Sequence, residues 1–191
     1  MGKQEKEIIL NLSLKRDDKA IQLYYSAEAW IKIQALLQAH QLEIGWNMVV
    51  KPYKEGYKIT DVLVYPQKVS AAFIAVDTAK YGLWKDELTA EQDKNLFGQA
   101  HSHVNMSCAP SPRDLQNQFD ELVMKKSGFY LFQIFNKKGV VWTRLYDLDK
   151  EKYYTKTEIE IEADDVSMTE FIEDSFSKLA KEKLNEPEQV V

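Results

Sequence analysis

The sequence is poor in several things at once. It has a single cysteine, Cys108, in 191 residues. That forbids an internal disulfide and any zinc site built from cysteine alone, and it agrees with a reducing compartment. The longest apolar stretch, Ala71 to Val76, is far short of the roughly 18 residues a transmembrane helix needs. The opening MGKQEKEIIL lacks the basic-then-apolar layout of a signal peptide. A cytoplasmic protein without membrane contact is therefore expected. Met1-Gly2 does not complete a myristoylation motif, because Lys6 stands where Ser or Thr belongs. Glycine/serine linkers, low-complexity stretches and internal repeats are absent as well. No segment carries a strong basic excess, so nucleic acid is not an expected partner.

What is present is an ordinary globular composition, 45% apolar and 29% charged, which excludes whole-chain disorder and coiled coil. The length suits one α/β domain. Charge is uneven: Thr157 to Val191 holds 11 acidic and 3 basic residues, a balance of -8, which leaves the first 156 residues with 22 - 19 = +3. We read residues 1–162 as the domain and 163–191 as an acidic helical extension docked on it.

Strands and helices alternate in the hydrophobic pattern. Ile8, Leu10, Leu12 and Leu14 read as a first strand, Asp17-Asp18-Lys19 as a turn, and Ile21 to Tyr25 as a second strand. Ser26 is placed to cap a helix that runs to about His40, with Trp30, Ile33, Leu36 and Leu37 on its apolar stripe. From Leu42 to Val50 the apolar residues recur at every second position, putting Glu43, Gly45 and Asn47 on the other face, until Pro52. Lys58 to Tyr65 and Ser70 to Val76 read as strands. Asp77 to Gly98 has no clear period and suits a lid or insertion. Gln99 to Val104 reads as a strand end. A helix starts at Ser111-Pro112, with Leu115, Phe119, Leu122 and Val123 as its buried stripe and Ser127-Gly128 at its end. Phe129 to Phe135 and Val140 to Tyr146 form a hairpin around Asn136 to Gly139. Thr157 to Ile161 is a strand with one wet face. Ser167 and Glu170 make a capping box for a last helix with Phe171, Ile172, Phe176, Leu179 and Leu184 on its stripe.

Two of the three histidines, His101 and His103, stand as His-x-His, a spacing that points both rings to one face of a strand. Ser111 and Asp114 follow at a helix start, where the carboxylate can aim back toward the strand end. Two imidazoles and a carboxylate are the ligand set of a catalytic zinc site with its fourth position left open. Taken singly, each has a bland reading: Ser111 and Asp114 as a helix cap, the histidines as satisfied strand-end rings, Glu43 as a surface carboxylate. Cys108 in the intervening loop is either a small filler, the reading we favour, or a latent fourth ligand. His40, near a helix end, reads as structural.

The run HSHVNMSCAPSPRD, with the upstream glutamate of LEIGW, resembles the JAMM (MPN-plus) zinc metalloproteases, whose pattern is Glu, His-x-His, seven residues, Ser, two residues, Asp. The resemblance spans roughly Ser26 to Tyr146 and is nearest to compact prokaryotic and phage-type JAB domains. It implies a three-layer α/β fold of cytidine-deaminase-like type, with a mixed central sheet flanked by helices. It further implies Zn2+ held by His101, His103 and Asp114, Glu43 as general acid/base and Ser111 as oxyanion donor. The implied reaction is hydrolysis of a peptide or isopeptide amide in a protein or peptide substrate, in the family often at a ubiquitin-like C-terminus. The rival of another class is a non-catalytic scaffold or assembly module that binds a protein partner. A metal-dependent nuclease is a second rival and has no charge support.

Overall fold

The run Phe129–Phe135 is buried at all seven positions, so it needs cover on both of its faces. In the computed structural model, which describes residues 12–39, 41–69, 74–162 and 184–185, it lies inside a nine-stranded mixed sheet. The chain lays down β1 (Lys15–Asp17), β2 (Ile21–Ser26), α1 (Ala27–Ala39), β3 (Gly45–Tyr53) and β4 (Gly56–Leu63). Next come β5 (Gln67–Val69), β6 (Ile74–Val76), α2 (Thr78–Asp86), α3 (Ala90–Lys94), β7 (Leu96–Ser102) and α4 (Pro112–Lys125). The remaining strands are β8 (Phe129–Phe135), β9 (Val141–Asp147), β10 (Lys152–Tyr154), β11 (Thr157–Glu162) and β12 (Leu184–Asn185). The large sheet has the order β1-β10-β9-β8-β7-β3-β4-β2-β11, and β12-β5-β6 form a small second sheet.

Alternation along β8 assigns the layers. Phe129, Leu131 and Phe135 join a core with Ala29, Ile33, Leu36 and Leu37 of α1, whereas Tyr130 and Phe132 join Leu115 and Leu122 of α4. The protein is thus a mixed α/β domain with α1 on one face of the sheet and α4 on the other. Strand β7 runs parallel to β8, and a parallel pair needs a crossover, here α4. That crossover sets the start of α4 beside the end of β7. Among the described residues no helix is long and apolar enough to cross a membrane.

Several sequence expectations shift. The strand expected over Ile8 to Leu14 falls largely on residues 1–11, which lie outside the described residues; Leu12 to Leu14 are not in a strand, and the first described strand is β1, Lys15–Asp17, paired in parallel with β10. Strand β3 starts later than Leu42 and passes through Pro52. Its pairing with β7 stops at Val49, so the missing N–H of Pro52 breaks no rung there. Glu43, Gly45 and Asn47 on its expected polar face are buried, because that face is covered too. The strand expected over Ser70 to Val76 is described only from Ile74, antiparallel to β5, residues 70–73 lying outside. Asp77 to Gly98 contains α2, α3 and the start of β7, with a Thr89/Gln92 capping box opening α3. Val123 is 44% exposed, and Gln118 takes its place on the buried side of α4. Ile159 and Ile161 are exposed because β11 is an edge strand. His40 and most of the expected last helix lie outside the described residues. Leu184, placed on that helix stripe, is in β12 instead.

Two glycines give opposite expectations. A Cβ on Gly56 would sit 1.9 Å from the main-chain oxygen of Gln22, whereas one on Gly82, inside α2, meets nothing within 4 Å. Gly56→Ala should destabilise by about 1–3 kcal/mol or more, and Gly82→Ala should stabilise by about 0.5–1 kcal/mol through chain entropy. Urea unfolding of both variants checks this; equal effects would contradict the packing described.

Candidate metal centre

The end of β7, the loop after it and the first turn of α4 build one site. His101 is on β7, and His103 is held just past its end by its N–H to the Phe135 carbonyl at 2.8 Å. The loop is then laced to the β8–β9 turn: Lys137 N–H donates to the Val104 carbonyl, Asn136 Nδ2 to the Met106 carbonyl and Cys108 Sγ to the Val140 carbonyl, at 2.8, 2.9 and 3.1 Å. Val104 itself has φ +42°, a costly conformation for a β-branched residue, worth of order 1–3 kcal/mol of strain. The lacing holds it there.

Ser111 is the N-cap of α4, and the capping box with Asp114 is complete: Asp114 N–H donates to Ser111 Oγ at 3.2 Å and Ser111 N–H donates to Asp114 Oδ2 at 2.7 Å. The bland reading of this pair as a cap is therefore correct, and the same two bonds fix the carboxylate in space. It faces the histidines. His101 Nε2 and His103 Nε2 are 3.0 Å apart, with Asp114 Oδ1 3.3 Å from the first and Oδ2 3.6 Å from the second. His103 Nδ1 lies 2.6 Å from the Ser107 carbonyl, which can only accept, so Nδ1 carries the hydrogen and the neutral ring keeps its lone pair on Nε2. A carbonyl partner on the far nitrogen is the usual way a metal-ligating histidine is oriented.

These separations suit a metal. Ligands about 2.05 Å from a tetrahedral ion stand about 3.3 Å from one another, and 3.0 to 3.6 Å brackets that value. The three residues form the metal-competent group among the described residues, with ligand atoms within 4.8 Å of one another. Cys108 is not in it: its thiol is buried against Val140, and burial pushes its pKa up, which suits the loop filler rather than the latent ligand.

Charge in the metal-free site settles on one ring. Burial holds His101 down to about 4 despite the nearby Asp114. The Asp114 hydrogen bond raises His103 above its ordinary 6.5, against the opposing effect of burial. Burial also pushes Asp114 up, but His103, His101 and the Ser111 bonds outweigh it and leave the carboxyl at about 2.

Glu43 precedes β3 and is 7% exposed. Burial raises its pKa, His103 opposes that and Asp114 adds to it. It lines the same cleft, of about 800 Å3, as His101, His103, Ser111 and Asp114, so all five motif residues meet. Glu43 is brought there by Ser102, which the sequence reading passed over. Ser102 N–H donates to the Ile44 carbonyl and its Oγ accepts the Ile44 N–H, at 2.9 and 3.1 Å. A small hydroxyl residue between the two histidines was the available signal.

The charge pattern sets the pH dependence of metal binding. A divalent cation taken up here would displace the His103 proton but none from His101, so its affinity should climb about tenfold per pH unit from pH 5 up to the raised pKa of His103, then level off. Without metal the two rings act in opposite senses: the His103–Asp114 pair stabilises the fold below pH 6.5 and this is lost as pH rises through its folded pKa, whereas His101, held near 4, costs stability as pH falls below 6.5. Calorimetric titration with Zn2+ across pH, beside thermal unfolding in chelator, reads both; a pH-independent affinity would contradict the assignment. Comparison with protein-family models and with curated proteins finds no match for this chain.

Proposed function

We propose that the protein is a zinc-dependent amide hydrolase of JAMM type, acting on a peptide or isopeptide bond of a protein or peptide substrate. The observation that carries this reading is the meeting of a His-His-Asp donor group with a desolvated glutamate and a helix-capping serine around one cleft. The β7–α4–β8 crossover and the helices on both faces of a mixed sheet are what a JAMM/MPN-like domain requires, and they support the family reading.

Zn2+ held by His101, His103 and Asp114 would supply Lewis-acid polarisation and lower the pKa of water toward roughly 7. The chain's own residues handle the rest. Glu43 takes a proton from the attacking water as the carbonyl carbon gains its C–O bond, and returns it to the nitrogen as the C–N bond breaks. Its raised pKa suits both directions of that transfer. Ser111 Oγ already accepts the Asp114 N–H, which leaves its own O–H to donate to the oxygen that gains charge. Apolar residues at the rim, Val76, Met106 and Met124, are 41, 53 and 68% exposed, and together with the polar floor they suit a polypeptide chain better than a small polar molecule.

A screen of peptide and isopeptide-linked substrates, including ubiquitin-like fusions, tests the reading. Glu43→Gln should lower kcat by about 10²–10⁴ with bound zinc unchanged. Ser111→Ala should lower it by about 10²–10³ and cost about 1 kcal/mol of stability as a lost cap. Hydrolysis undiminished in Glu43→Gln would overturn the proposed base, and a stability loss alone in Ser111→Ala would leave that residue a cap only.

A further inference from the structure

Strand β3 has an unusual rung at its first residue. Ile44 turns both of its main-chain groups toward β7, where Ser102 takes them, so alternation turns those of Gly45 toward β4. But β4 ends at Leu63, paired with Asn47, and the chain departs before it reaches Gly45. The buried side chain of Gln67 fills the gap: Oε1 accepts the Gly45 N–H and Nε2 donates to the Gly45 carbonyl, both at 2.7 Å, with a further bond to the Tyr65 carbonyl at 3.0 Å. Gln67 is fully buried, and it is anchored in the small sheet opposite Val76. Tyr65 occupies the remaining space, since a Cβ on Gly45 would lie 2.2 Å from its hydroxyl.

We propose that Gln67 is a positioning residue: its amide replaces the missing β4 rung at Gly45 and thereby fixes where the Glu43 carboxyl stands relative to His101, His103 and Asp114. The segment Glu43–Gly45 is held from two sides, by Ser102 on β7 and by Gln67 on β5. Only the second hold is independent of the histidine strand. Removing Gln67 therefore releases Glu43 while leaving the donor group in place. The consequence for turnover rests on the reading of Glu43 as acid/base; the positional claim does not.

The test compares wild type with Gln67→Leu, and with Gln67→Glu, which keeps an acceptor for the Gly45 N–H and loses the donor to its carbonyl. In Gln67→Leu the Gly45 amide should exchange its hydrogen about tenfold faster or more, and the Glu43 side-chain NMR resonances should move. The ring resonances of His101 and His103 and a stoichiometry of one Zn2+ per chain should stay as they are. Gln67→Glu should fall between, and it carries the test if the leucine variant does not fold. On a substrate found by the screen, kcat should drop about tenfold at constant KM, with no further drop in the Glu43→Gln background. Unchanged Gly45 exchange, or histidine resonances that move as far as those of Glu43, would overturn the proposal. Failure to find any substrate would count against the hydrolase reading alone, since exchange and resonance positions need none.

Discussion

Two imidazole nitrogens and a carboxylate that face one another within 3.6 Å in a largely buried site demand positive charge between them. Without a metal that charge is a proton, and the raised pKa of His103 beside the depressed pKa of Asp114 says where it sits. With a divalent cation the demand is met better, because each group then presents a lone pair to the ion. The fold around the site holds the two rings and the carboxylate in this arrangement. The loop lacing to the β8–β9 turn, the Ser107 carbonyl on His103 Nδ1 and the capping box on Asp114 each remove a way for them to part.

Sheet order does the remaining assembly. Strand β7 is fifth of nine, so both its neighbours are fixed, β3 on one side and β8 on the other. The β3–β7 register sets Gly45 opposite His101, which carries Glu43 from 58 residues upstream to the His-His-Asp group. The crossover to β8 returns the start of α4 to the same end, where the helix dipole and free N–H groups favour a carboxylate. One pair of hydrogen bonds then serves two purposes: it satisfies the first turn of α4 and it aims Asp114. Stability and site geometry are coupled through that pair.

The motif and its frame were legible because they follow short-range rules. His-x-His alternates as a strand does, Ser-x-x-Asp is a capping box, and the Phe129–Phe135 hairpin carries its own turn. Helix α1, with Ser26 Oγ accepting the Ala29 N–H, followed the same logic. What escaped depends on contacts distant in sequence. The support from Gln67 and Ser102 runs from side chain to main chain across 22 and 58 residues and leaves no periodic trace. Helix α2 buries only Trp84, so Asp77 to Gly98 showed no amphipathic stripe. Strand β3 seemed to have a polar face because period two assumes one side is wet, and here both are covered.

The claim on which the account turns is that His101, His103 and Asp114 share one zinc ion and Cys108 does not. X-ray absorption at the zinc edge of the purified protein measures this directly. The account predicts two imidazoles and oxygen ligands about 2.0–2.2 Å from the metal and no sulfur. A sulfur scatterer at about 2.3 Å would contradict the placement of Cys108, and a protein that takes up no zinc would contradict the centre itself.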